Sequence, residues 1–164
     1  MPANRDEAAQ PSETPPPFEE AKVGFAHRHL RFGWWSLLIF VVMGLVLEGL
    51  HGLKIGFYLD VDNQTRRLMW TLAHAHGTLL ALIHIAYGAT VPLMTAESAK
   101  QRHRVSLALT GATLLMPTGF FLGGLFIHSG DPGMGIVLVP VGGLLLVAAI
   151  FMTAWGFSGR SSDE

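Results

Sequence analysis

The stretch FGWWSLLIFVVMGLVLEGLHGL, Phe32 to Leu53, decides the fold. It runs for 22 residues with a single charged side chain, Glu48, one turn from its end. As a helix it covers about 33 Å, enough to cross the hydrocarbon core of a bilayer. Trp34 and Trp35 stand at its start, where amphipathic rings favour the lipid interface. Three more apolar stretches of membrane-crossing length follow, at about 68–93, 105–127 and 134–157. Half of the 164 residues are hydrophobic and 14% are charged, and almost all the charges lie outside these stretches. A soluble helical domain would need charges along its outer faces. The predicted fold is therefore all-α: an integral membrane four-helix bundle in up-down order over residues 25–157.

Before it, residues 1–24 form a predicted disordered tail. Pro15, Pro16 and Pro17 sit in a segment rich in Pro, Glu, Ala and Ser, too polar to offset its ordering entropy. It lacks the apolar core of a signal peptide. After it, residues 158–164 are a polar C-terminal tail. Orientation follows from the basic residues. With the N-terminus inside, the inner side carries Arg5, Lys22, Arg28, Arg31, Lys100, Arg102, Arg104 and Arg160; the outer side carries Lys54, Arg66 and Arg67. Both termini are expected in the cytoplasm of a multi-pass protein of the inner (plasma) membrane.

Composition also excludes. The net charge of −1, without a basic patch interleaved with aromatics, gives no nucleic-acid partner. The absence of cysteine rules out disulfides, iron–sulfur clusters, covalently attached c-type haem and thiolate zinc sites. No nucleophile–base arrangement, phosphate loop or dinucleotide fingerprint assigns an enzymatic reaction. Gly119 with Gly123, and Gly142 with Gly143, predict close helix packing. Pro117 and Pro140 fall mid-span and predict kinks or unpaired carbonyls.

Eight histidines in so apolar a chain carry the chemical signal. His27 and His29, in the basic segment ahead of the first span, are expected to face water. His51, His74, His76 and His128 all fall at the outer ends of spans. Glu48 shares a helix face with His51 three residues on and is the sole carboxylate within a predicted span; such intramembrane ionisable groups are expensive and usually functional. On the second span His74, Gly77, Ala81, His84 and Gly88 form a stripe about 80° wide, which must meet protein or a flat ligand. On the third, His103, Ser106, Thr110, Thr113, Pro117, Phe121, Gly124 and His128 form another. Neutral imidazoles are common metal and haem ligands, and a four-helix bundle can cradle either. His51, His74, His76 and His128 are therefore candidate cofactor ligands, with Glu48 joining them in a metal site. His84, deeper and without an evident partner, is a candidate proton relay. Met43, Met69, Met116 and Met134 occupy positions that ordinary packing explains.

The segment Leu72-Ala73-His74-Ala75-His76-Gly77, continuing to His84 and Gly88, resembles the His-x-His helices of haem-copper oxidase subunit I and of small bacterial membrane proteins related to it. The resemblance covers about one helix. It implies His74 or His76 as a haem ligand. The His-His pair that helps to bind copper in those oxidases has no counterpart here, so oxygen reduction is not implied.

Three functions fit the sequence. The leading expectation is a protein that binds one b-type haem or one transition-metal ion near the outer membrane face, for electron transfer or redox sensing. The second is a non-catalytic accessory subunit of a larger respiratory-type membrane complex, or a homo-oligomer. The third is a proton or metal-ion transporter.

Overall fold

The computed structural model describes residues 17–60, 64–94 and 98–158. Four helices account for most of them: α1 Pro17–Gly52, α2 Thr65–Thr90, α3 Ala99–Leu125 and α4 Leu138–Ser158. Short 3-10 turns, Val91–Leu93 and Met134–Val137, follow α2 and precede α4. No strand occurs among the described residues; His128 and Asp131 form an isolated bridge in the α3–α4 connection. Four helical segments, Glu19–Gly52, Thr65–Leu93, Ala99–Leu125 and Met134–Phe157, are long and apolar enough to cross a membrane.

Local chemistry sets the helix ends. Ser98 caps α3, its hydroxyl accepting from the Gln101 N–H at 3.2 Å. Pro92 supplies no N–H to continue the α2 ladder, and the chain tightens into a 3-10 turn there. Arg66, near the start of α2, donates to the carbonyls of Gly124 at 3.1 Å and Phe57 at 2.7 Å. A cation at a span boundary is thus held by backbone acceptors.

Two expectations change here. α1 begins at Pro17, so residues 17–24 are helical where the composition predicted tail; residues 1–16 and 159–164 lie outside the described residues. The 36 residues of α1 cover about 54 Å, well beyond a hydrocarbon core of about 30 Å. Pro140 is the third residue of α4, not a mid-span kink; in a first turn its missing N–H costs nothing. Pro117 does lie inside α3 and is buried there.

Each helix packs on its neighbour in chain order, α1 on α2, α2 on α3 and α3 on α4. No Cα of α1 comes within 8 Å of α4. The bundle is therefore open, with α2 and α3 central: 39% and 50% of their most apolar windows are buried, against 17% and 11% for α1 and α4. Trp35, Leu38, Ile39 and Leu45 on α1, and Leu144, Val147 and Phe151 on α4, lie exposed. In water such a surface would be an association hazard, whereas hydrocarbon would solvate it.

Small residues set the α1–α2 spacing. A Cβ on Gly44 would stand 2.5 Å from Cε1 of His74, one on Gly77 would enter the Phe40 ring, and one on Gly33 would stand 2.7 Å from Ile85 Cγ1. Of the glycines expected to bring α3 and α4 together, Gly119 and Gly142 do so, against Val139 and Met116. Gly123 meets only ordinary contacts, and Gly143 faces open space.

Candidate functional site: a buried histidine line

The stripe on α2 turns inward as its composition requires. Gly77, Ala81, His84 and Gly88 are buried, and His84 has no exposed surface. Opposite it on α1 stands His29, only 3% exposed. The two Nδ1 atoms lie 2.9 Å apart, and the rings stack with centroids 5.0 Å apart and 18° between planes. His29 Nε2 lies 2.9 Å from the Ser106 hydroxyl on α3. One polar line thus joins three helices. It is walled by Phe25 and by the edge of Tyr87 against His29, and by Phe32 against His84.

Hydrogen-bond accounting gives this line two states. A bond between two Nδ1 atoms needs one to carry the proton and the other to be bare. If His84 Nδ1–H donates to His29, then His29 in its neutral form carries Nε2–H and donates it to Ser106 Oγ. His84 Nε2 is then a bare acceptor. If His29 Nδ1–H donates instead, His29 Nε2 accepts from the Ser106 O–H, and His84 carries Nε2–H. One proton arriving at His84 Nε2 and one leaving His29 Nε2 convert the first state into the second, with the middle proton crossing between the rings.

His84 Nε2 is one of two buried side-chain polar atoms without a hydrogen-bond partner among the described residues; the other is Thr78 Oγ1. The Leu109 carbonyl, which accepts from Thr113 Oγ1 at 2.9 Å, is the backbone group near the His84 ring. A buried polar atom without a partner costs about 1–3 kcal/mol. The line is therefore closed at Ser106 and open at His84.

The outer candidates are only partly gathered. Glu48, His51 and His74 line a cleft of about 1020 Å³ between α1 and α2, together with Tyr58, Arg67 and Thr71. His74 Nδ1–H donates to the Phe40 carbonyl at 2.8 Å, which leaves Nε2 as the bare nitrogen. His76 points elsewhere, its Nδ1–H bonded to the Leu72 carbonyl at 2.9 Å and its ring on Phe120. His128 is exposed in the α3–α4 connection, where its backbone pairs with Asp131. Among the described residues no three His, Cys, Asp or Glu side chains gather closely enough to hold a metal ion.

His29 was expected to face water and is instead half of the buried pair; His84 was expected to lack a partner at its depth and has one. The signal was present on α1. Ala26, His29, Gly33, Ser36, Phe40, Gly44 and Leu47 recur every three or four residues, an uncharged seam, mostly of small residues in its middle, that runs unbroken through the basic segment. Ser106, on the polar stripe of α3, meets His29, whereas Thr113 on the same stripe bonds back to the Leu109 carbonyl of its own helix. Comparison of the chain with protein-family models, curated proteins and solved structures found no match.

Proposed function

We propose that this protein handles protons within a lipid bilayer, passing them along the Ser106–His29–His84 line of an up-down four-helix bundle. One observation carries this reading: two buried imidazoles share an Nδ1···Nδ1 bond while a third nitrogen, His84 Nε2, has no partner among the described residues. A purely structural tie between helices would favour a fully satisfied network, since a partly satisfied one is costly. An open nitrogen at the end of a chain of exchangeable protons is what a relay needs at the atom where a proton enters or leaves. With the basic residues of both tails and of the α2–α3 connection on the cytoplasmic side, the line lies in the inner half of the membrane. His84 is six residues, about 9 Å, from the end of α2 at Thr90. The full-length protein in liposomes loaded with a pH-sensitive dye should release an imposed proton gradient faster than protein-free liposomes. His84→Gln should reduce that rate at least about tenfold, as loss of a positioned proton carrier does. Wild-type rates equal to those of empty liposomes would end this reading.

A second reading, one b-type haem or metal ion at the outer cleft, is favoured by His74. Its Nδ1–H···O=C bond to Phe40 fixes the tautomer with Nε2 bare, the arrangement by which outer partners orient metal-binding histidines. The cleft is of the size that small-molecule sites occupy, and Glu48 and His51 border it. This reading expects a visible Soret band that shifts on reduction in protein grown with ample haem, or a retained metal ion, and loss of either in His74→Ala. A colourless, metal-free protein would remove it.

A further inference from the structure

At the opposite end of the molecule from the cleft, the start of α3 and the end of α4 enclose a second cavity of about 510 Å³. Its α3 wall carries Lys100 and Arg104, four residues apart and so on one helix face. Both are exposed, and neither has an anionic partner among the described residues. Its α4 wall is aromatic: Phe151 and Trp155 stand with centroids 6.0 Å apart, and Trp155 is 68% exposed. The two walls are tied together, because Gln101 Nε2 on α3 donates to the Met152 carbonyl on α4 at 3.1 Å. Beyond the cavity the α4 surface continues as exposed Leu144 and Val147, on the same side as Phe151.

Two cations without an anionic partner among the described residues at one rim, and an apolar stripe leading away from the other, describe an amphiphile with an anionic head. We propose that this cavity binds an anionic phospholipid of the leaflet facing this end of the bundle. Its phosphate lies between Lys100 and Arg104, and its glycerol end stacks against Trp155. One acyl chain follows Phe151, Val147 and Leu144. Basic pockets between membrane helices at the cytoplasmic surface favour such head groups, and an indole is at home at that depth. The proposal is independent of the histidine line, since neither lining residue nor ligand touches it.

The test is native mass spectrometry of the full-length protein, stripped of lipid in detergent and then titrated with phosphatidylglycerol or phosphatidylcholine. Phosphatidylglycerol should remain bound through activation that removes phosphatidylcholine. At about fivefold per cation near the membrane surface, Lys100→Gln with Arg104→Gln should weaken phosphatidylglycerol about twenty-fivefold and leave phosphatidylcholine unchanged. Arg104→Gln alone should give the intermediate value. Equal retention of the two lipids, or unchanged retention of phosphatidylglycerol in the double variant, would overturn the site. Displacement of phosphatidylglycerol by millimolar inorganic phosphate would overturn the lipid and leave a phosphate site.

Discussion

His29 and His84 differ from the other described histidines in being buried, with almost no choice of partner. Once both rings are buried, the geometry leaves each Nδ1 facing the other and His29 Nε2 facing a hydroxyl. Ser106 is the residue by which this can be probed gently. Ser106→Ala removes the terminal acceptor and strands His29 Nε2, so thermal unfolding in detergent should register a loss of about 1–3 kcal/mol. It should also bias the pair toward the state in which His29 Nε2 needs no acceptor, and slow proton passage without abolishing it. Ser106→Thr keeps the hydroxyl and should recover most of both losses. A Ser106→Ala variant as stable and as active as the wild type would take Ser106 out of the line. His84 was legible in the sequence because its spacing to Gly77, Ala81 and Gly88 is that of one helix face. His29 was not, because the neighbouring Arg28 and Arg31 mark a wet segment when charges are counted singly. Only the seam from Ala26 through Gly33 to Gly44 shows that one face of that segment is dry.

At the scale of elements, span number and approximate position were readable because bilayer thickness fixes helix length and the chain has few charges to misplace. The order of packing was not readable. Nothing in hydropathy distinguishes a closed bundle from an open one, and the exposed faces of α1 and α4 look alike in either. What sets the arrangement is the fit of particular small residues: Gly44 beneath His74, Gly77 beneath Phe40, Gly33 against Ile85. The absence of native cysteine makes this directly testable. Gly33→Cys with Ile85→Cys should form a disulfide under mild oxidation, since a Cβ at position 33 would stand 2.7 Å from Ile85 Cγ1, the place a sulfur at position 85 would take. Leu38→Cys with Leu144→Cys, on α1 and α4, should form none within one molecule. The reverse pattern would mean that α1 closes on α4. The outer candidates failed to gather for a related reason. His74 and His76 are two residues apart, which on a helix sends them to different sides, and His128 falls beyond the end of α3.

At the scale of the molecule, the central pair α2–α3 carries most of the buried surface, and α1 joins it through the histidine line as well as through glycine contacts. A chain that invests two buried imidazoles, one of them incompletely bonded, at the joint between three membrane helices gives up stability there. The proposed proton relay would account for that sacrifice. If the residues act as one relay, breaking it at either histidine should have the same effect as breaking it at both, because residues that act as a unit are not additive. Proton flux through proteoliposomes should therefore be compared for wild type, His29→Gln, His84→Gln and the double variant, all at matched protein density. Both single variants should fall to one common low rate, shared by the double variant. Flux that survives in either single variant, or losses that add in the double, would contradict the relay.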